Sequence, residues 1–342
     1  MSGTALPAAR SETPRPLIAV SCNQCGADDF DVVTTVDADY EYLGVIDEAW
    51  ARRSFRFVRC RRCDLVYQNP RPDAEEIFRY YPAEYGCFAQ CPPPGRFMAF
   101  LYRIMVWLKK REILPLLPEN GVLLDFGCGN GHWLRALQGA GKPRQRFVGV
   151  DPCEAQVQML RAAGIEAHVG TEVDLPKLFA SESVDLILFN HVIEHVPDPK
   201  ATLRMLASLL RPGGNIRGVT PNIDTWDRRL FGKYWAGWHP PRHFVLFDVP
   251  MLARYAESAG LSLTESGSEF EGANHWSVSA HTWITEHGIR QRPGAYRLAL
   301  YPLLLAAAIP ITVVQLLLSR TSVSSFVLRK PLPEASCEAR SF

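Results

Sequence analysis

The chain has 342 residues, of which 47% are hydrophobic and 21% are charged, enough for one large α/β domain and a smaller module. Its formal net charge is +1, so the overall charge excludes nucleic-acid binding driven by a general positive field and would leave that role to a local basic patch. A globular protein is expected.

Residues 1–20 are rich in proline and polar side chains and lack the basic start and apolar run of a secretory signal. They predict a disordered tail and a catalytic part that stays in the cytoplasm. That compartment keeps thiols reduced, so the nine cysteines do not favour a disulfide framework. Their spacing suits a metal better.

Residues 21–92 form a cysteine-containing module. Cys22, Cys25, Cys60 and Cys63 make two C-x2-C knuckles separated by 34 residues, a spacing that offers four thiolates to one tetrahedral zinc ion. Four protein ligands leave no open position, so the zinc would be structural. The alternative is a set of reduced, buried cysteines without metal.

Six arginines surround the second knuckle within eleven residues, and their guanidinium groups could bind phosphate or carboxylate. A solvated charged face is an equally good explanation. The six are Arg52, Arg53, Arg56, Arg59, Arg61 and Arg62.

Residues 93–296 alternate apolar, strand-like runs with helical stretches. The runs are VLLDF at 122, FVGV at 147, VDLILF at 184 and NIRGVT at 215. This alternation predicts a doubly wound, mostly parallel sheet with helices on both faces.

A glycine-rich turn follows the first of these strands. Asp125 ends the strand, and Gly127, Gly129 and Gly131 let the backbone approach a ligand closely. An acidic residue before the turn would repel a pyrophosphate and attract an ammonium group. Asp151, at the end of the next strand, can accept hydrogen bonds from ribose hydroxyls. The pattern favours a cofactor that carries both an amino acid and a nucleoside.

DFGCGNG followed by GVDP resembles motifs I and II of the class I S-adenosylmethionine-dependent methyltransferases. VDLILFNHVIEHVPDP and LLRPGGNIRGVTPN resemble the fourth- and fifth-strand motifs of the subgroup that contains the ubiquinone and menaquinone methylases, many of which also carry an N-terminal cysteine module. The resemblance implies a seven-stranded α/β fold and S-adenosylmethionine as cofactor, with a last strand at SSFVLRKP.

The resemblance also assigns roles to individual residues. It implies that Asp125 orients the methionine amino group, that the three loop glycines line the carboxylate and ribose, and that Asp151 binds the ribose. Glu172 or Asp174 follows the third strand, and we favour Glu172 for the adenine. Asn190 is expected to help hold the cofactor.

Histidines after the fourth and fifth strands are candidates for a catalytic base, since methyl transfer needs one when the acceptor arrives protonated. His191 is preferred and His243 is second. His195 has a structural alternative, because it can hold its loop by hydrogen bonds to backbone. The aromatic stretch at 221–247 suggests a lid over the acceptor, although packing of its rings on the domain is the alternative.

Residues 297–319 form a hydrophobic segment. Leu298 to Leu318 carry no charge and would span about 31 Å as a helix. Pro310 lies near the centre, and a single crossing would put the last two strands on opposite sides of a membrane. We therefore expect a membrane-associated hairpin, with a single span as the alternative, followed by the last strand and a tail at 320–342.

These patterns together predict a methyltransferase that acts on a small-molecule or lipid-linked acceptor, such as a glycolipid or polysaccharide precursor or a quinone-like ring. A membrane surface, on its cytoplasmic side, is the expected partner, and a nucleic acid is not. An RNA methyltransferase that grips its substrate with the arginines is one alternative. A zinc-ribbon scaffold with a degenerate methyltransferase fold is another.

Overall fold

A computed structural model describes residues 13–82, 85, 95–287 and 300–333. In chain order, its helices and strands are β1 (Phe30–Val36), α1 (Glu48–Ala51), β2 (Phe55–Cys60), β3 (Val66–Gln68), α2 (Gly95–Ile113), β4 (Val122–Phe126), α3 (His132–Gln138), β5 (Arg146–Asp151), α4 (Glu154–Ala162), β6 (Glu166–Val169), α5 (Leu175–Leu178), β7 (Val184–Asn190), α6 (Pro199–Leu209), β8 (Leu210–Pro221), α7 (Trp226–Phe231), β9 (Val245–Leu246), α8 (Val249–Ser258), β10 (Ser262–Ser268), α9 (Gly272–Glu286), α10 (Tyr301–Leu317) and β11 (Val323–Arg329).

The chain divides into two compact units. The cysteine unit comprises Met1–Glu84, Pro221–Asp248 and Ser268–Val323, and the sheet unit comprises Tyr85–Thr220, Val249–Gly267 and Ser324–Phe342. The sequence therefore passes between the units several times.

A seven-stranded sheet forms the centre of the sheet unit, in the order β10-β11-β8-β7-β4-β5-β6. β4 pairs in parallel with β5 and β7, β5 with β6, and β7 with β8. The near-continuous apolar run of β7, whose first six residues are buried, is typical of a parallel strand covered on both faces. The predicted fold class, including the last strand, is confirmed.

Helices α3 and α4 pack on this sheet around a core of Leu, Val, Ile and Phe side chains. Leu134 and Leu137 of α3 and Val157 and Leu160 of α4 are buried in it together with Leu186 of β7. This packing fixes the loops that lead from β4 into α3 and from β5 into α4.

The cysteine unit contains a second sheet that the sequence did not predict. Its order is β1-β2-β3-β9, and all three pairings are antiparallel. β9 lies 177 residues after β3 ends, at Val245, so long-range pairing completes the sheet. Phe57 of β2 packs against Trp238 with ring centroids 4.7 Å apart, and Trp235 joins the same core.

α9 and α10 pack against each other in the cysteine unit. The side chains of α10 that are buried are Ala308, Thr312 and Gln315, and Gln315 accepts a 2.8 Å hydrogen bond from the indole of Trp276 on α9. The leucines and valines of α10 include many of the most exposed apolar side chains of the protein, with Leu317 81% exposed. The helix thus buries its few polar groups and exposes its apolar ones.

The predicted hairpin is wrong. α10 runs unbroken from Tyr301 to Leu317 with Pro310 inside it, because a proline removes only one backbone donor and the alanines and leucines around it favour the helix. Residues 297–299 of the predicted segment lie outside the described residues. Among the helices of the described part of the chain, none combines the length and apolarity that crossing a bilayer requires.

Candidate cofactor-binding site

The turn between β4 and α3 depends on its three glycines. Gly127, Gly129 and Gly131 all have positive φ, at 76°, 50° and 67°. A Cβ on Gly127 would lie 2.5 Å from a Val192 methyl group, and one on Gly131 would meet Leu160. Only glycine combines this backbone conformation with such close packing.

Two buried carboxylates flank the turn. Asp151 accepts 2.8 Å hydrogen bonds from the backbone N–H groups of Gly129 and Cys153. Among the described residues, none donates to the carboxylate of Asp125, which is only 4% exposed. Burial and the charge of Asp151 raise the pKa of Asp125 to about 7. The described residues around Asp125 therefore give an acidic site without a cation beside this carboxylate, and an ammonium group would supply one.

Burial also raises the pKa of Asp151, but its two backbone hydrogen bonds oppose the shift. Asp151 consequently ionises first, and Asp125 ionises against its charge. Each oxygen of Asp151 retains a second acceptor position, so the carboxylate can take two hydroxyl donors without losing the bonds that hold the loop.

The segment after β6 lies beside Asp151, since Gly170 donates its N–H to the Asp151 carbonyl at 3.1 Å. The carboxylate of Asp174 interacts with neighbouring residues. It accepts a hydrogen bond from the N–H of Thr171 at 3.1 Å and forms an ion pair with Lys177 at 2.8 Å. Glu172 is half-buried and has no such partner among the described residues. Of the two predicted acids, the structure favours Glu172 as the one available to a ligand.

Gln156 on α4 is a polar residue that the sequence did not single out. It is 7% exposed, and its Oε1 has no hydrogen-bond partner among the described atoms. α4 begins three residues after Asp151, so this buried amide belongs to the same end of β5. A single buried glutamine in a helix gives no sequence signal.

His191 follows β7 and has a backbone φ of +51°, a conformation that is strained for a side chain other than glycine and is held by a hydrogen bond from its N–H to Val219. Its Nδ1 lies 3.2 Å from Oε1 of Glu194, and the Thr220 hydroxyl donates to Oε2 of Glu194 at 2.9 Å. Glu194 is completely buried and His191 is partly exposed. The arrangement orients one imidazole at the carboxyl end of the sheet.

The other predicted residues of this region are placed as follows. Asn190 is the half-buried last residue of β7, and His195 is half-buried in the turn after it, where its N–H donates to the Val192 carbonyl. Thr220 at the end of β8 had no sequence signal, because only the sheet pairing brings it to Glu194.

His243 lies in the cysteine unit and is 5% exposed. Its Nδ1 donates to the Gly237 carbonyl at 2.8 Å. Trp235 and Trp238 are 2% exposed within the core of the same unit. These two rings therefore pack in the core of the small sheet with Phe57, Val66 and Leu246, and their interpretation as part of a lid is wrong.

The four predicted metal ligands meet in one cluster. Their sulfur atoms all lie within 4.8 Å of one another, with Cys22 3.5 Å from Cys63 and Cys25 3.5 Å from Cys60. Four thiolates about 2.3 Å from a tetrahedral ion would be about 3.8 Å apart, so the donor set and its spacing fit zinc.

The arginines beside this cluster are mostly engaged within the protein. Arg61 pairs with Asp29 at 2.9 Å and with Asp31 at 2.5 Å. Further partners are Glu48 for Arg52, Glu76 for Arg53, the Asn69 carbonyl for Arg56 and Asp64 for Arg59. Five of the six arginines thus have a partner within the described part of the protein.

Comparison with known proteins agrees with the site geometry. Residues 97–266 match the family described as "Methyltransferase domain". The chain is 30% identical over 170 residues to a ubiquinone biosynthesis O-methyltransferase of Nitrobacter winogradskyi, covering 46% of this chain and 64% of that protein. It is 34% identical to the corresponding protein of Saccharophagus degradans over 159 residues, which cover 42% of this chain and 64% of that protein. The chain thus matches less than two thirds of either relative.

Among solved structures, geranyl diphosphate C-methyltransferase from Streptomyces coelicolor is similar over 68% of this chain and 80% of that chain, with 15% identity and a TM-score of 0.48. The family match at 97–266 contains the glycine turn, both acidic residues and the whole run from β4 to β8. Over residues 97–266 the chain is therefore similar to the methyltransferase-domain family.

Proposed function

We propose that this protein transfers a methyl group from S-adenosylmethionine to a small-molecule acceptor, quinone-like or lipid-linked, that is presented at the cytoplasmic face of a membrane. The observation that carries the proposal is the buried, donor-poor carboxylate of Asp125 beside a loop of positive-φ glycines. A cationic amino-acid group would relieve the cost of burying that charge.

The described residues fit the cofactor along its length. Asp125 would take the ammonium group, the backbone of Gly127 to Gly131 the carboxylate, and Asp151 the ribose hydroxyls through its remaining acceptor positions. Glu172, in the segment after β6, and Gln156, on α4, are polar groups available to the adenine. When bound, S-adenosylmethionine supplies an electrophilic methyl group on a positively charged sulfur.

His191 would act as the general base. The carboxylate of Glu194 at its Nδ1 favours the tautomer with the proton on Nδ1, which puts the basic lone pair on Nε2. Nε2 would accept the proton that an acceptor hydroxyl loses, and the buried Glu194 would stabilise the resulting imidazolium. Thr220 fixes the orientation of Glu194. His195 and His243 are the second candidates for this role.

A structural zinc ion held by Cys22, Cys25, Cys60 and Cys63 would stabilise the cysteine unit. Because the cytoplasm keeps thiols reduced, a site of four thiolates suits the cytoplasmic location that we propose. No role in the reaction is assigned to the metal.

α10 supports the membrane part of the proposal. A helix in water normally buries its apolar side chains, whereas α10 exposes Leu303, Val313 and Leu317 and buries Thr312 and Gln315. An apolar surrounding on the exposed side explains this inversion, because an apolar patch of this kind marks an interaction surface. α10 could bind in this way by lying in the membrane–water interface, without crossing the bilayer.

The test is methyl transfer by the full-length protein. S-adenosylmethionine with an isotope-labelled methyl group is incubated with the protein and with either the lipid or the polar extract of cells lacking the gene. We expect label in the lipid extract, and none with Asp125→Asn. Label in the polar extract alone would remove the lipid-linked acceptor, and label in neither extract would contradict the proposed transfer to such acceptors.

A further inference from the structure

Helix α2 of the sheet unit carries an unburied apolar stripe. Phe100, Ile104, Trp107 and Leu108 follow the i, i+4, i+7, i+8 spacing of one helix face, and they are 58%, 40%, 52% and 55% exposed. Such a stripe on a surface helix is normally turned into the core. Here Phe100, Ile104 and Trp107 line a shallow open depression together with Arg103.

The polar side chains of α2 are dominated by cations. Arg111 lies over the ring of Trp107, 4.7 Å from its centroid. The one acid of the described side chains, Glu112, is neutralised by Arg217 and by Lys109 at 3.2 Å. Arg103, Lys110 and Arg111 therefore give this face a positive charge that no acid of the helix balances.

Aromatic and aliphatic side chains flanked by lysine and arginine are the composition of helices that lie in the interface of a bilayer with anionic headgroups. A second copy of the chain fits less well, because a symmetric contact through α2 would bring its cations close to those of the partner. The positive charge of this face thus favours binding to anionic groups, and its apolar stripe favours contact with a hydrocarbon layer.

We propose that the exposed face of α2 docks on a phospholipid bilayer that contains anionic headgroups. This inference rests on the proposed membrane-proximal function and deepens it, since it assigns charge recognition to an element of the sheet unit that is separate from α10. Phe100 and Trp107 insert among the acyl chains near the headgroups, while Arg103 and Lys110 contact phosphates.

The test is co-sedimentation of the full-length protein with vesicles of phosphatidylcholine alone and of phosphatidylcholine with phosphatidylglycerol. We expect binding to rise when the anionic lipid is present. Each cation near such a surface strengthens binding about fivefold, so Arg103→Gln with Lys110→Gln should weaken the anionic-vesicle affinity about 25-fold. Binding to phosphatidylcholine alone should change little.

Lys142→Gln with Arg144→Gln is the matched control. It removes two exposed cations of the same unit from a loop, so it should leave the affinity for both vesicles unchanged. Equal binding of the wild type to both vesicles, equal losses in the two double variants, or a Trp107-dependent dimer without vesicle binding would each overturn the proposal.

Methyl transfer to the lipid extract separates this inference from the proposed function. Charge-dependent docking through α2 without transfer would contradict the function and leave the docking intact. Methyl transfer to the lipid extract by a protein whose vesicle binding does not depend on anionic lipid would contradict the docking and leave the proposed function intact.

Discussion

Replacing Asp125 with asparagine should stabilise the protein without cofactor, and the gain should grow with pH. The carboxyl has an ordinary pKa of 3.8 and a folded-state pKa of about 7. In the folded state the charged form is therefore disfavoured, and stability falls as pH rises from about 4 to about 7. Asparagine keeps the shape of the side chain and never ionises.

The size of the expected stabilisation follows from the difference between the ordinary and the folded-state pKa of Asp125. Each pKa unit corresponds to about 1.4 kcal/mol, so ionising Asp125 costs about 4 kcal/mol once the pH is well above 7. Between about pH 5 and about pH 8, the variant should gain about 3 kcal/mol of unfolding free energy relative to the wild type.

Urea denaturation followed by circular dichroism, without cofactor, measures this difference. Glu119→Gln serves as the control, because Glu119 is 71% exposed and its pair with Lys142 is a surface pair of little consequence. A stability difference between Asp125→Asn and the wild type that does not change with pH would refute the assignment of Asp125 as a buried carboxylate awaiting a cation.

Three further predictions concern the remaining parts of the site. His191→Gln should lower kcat for methyl transfer about 100-fold or more while leaving the KM for S-adenosylmethionine unchanged, since it removes a base; an unchanged kcat would exclude the role. Cys60→Ser should release zinc, as measured by elemental analysis, whereas Cys153→Ser, outside the cluster, should retain it; a folded, metal-free wild type would contradict the site. Gly131→Ala should destabilise the protein more than Gly164→Ala in thermal unfolding, because both have positive φ but only the first places its Cβ against Leu160; equal losses would show that backbone strain alone matters.

The sheet and the cofactor loop could be predicted because their signals are local. Apolar runs such as that of β7 are too regular to be loops, and Asp125 and Asp151 stand where two such runs end. The order of residues along the chain was enough to place both acids at one edge of a parallel sheet.

The remaining features depend on partners far away in sequence. Thr220 reaches Glu194 only through the pairing of β7 with β8, and β9 completes a sheet begun by β1. The burial of Trp238 against Phe57 required that same long-range sheet. At Pro310, helix propensity and the packing of α10 on α9 outweighed the local signal for a bend.

Calorimetric titration of the full-length protein with S-adenosylmethionine tests the central claim most directly. We expect binding that weakens about 25-fold between about pH 7.5 and about pH 5.5, because below the raised pKa of Asp125 binding of an ammonium group must first remove its proton. NADH should give no comparable heat. Tighter binding of NADH than of S-adenosylmethionine, or no binding of S-adenosylmethionine at any pH, would contradict the account.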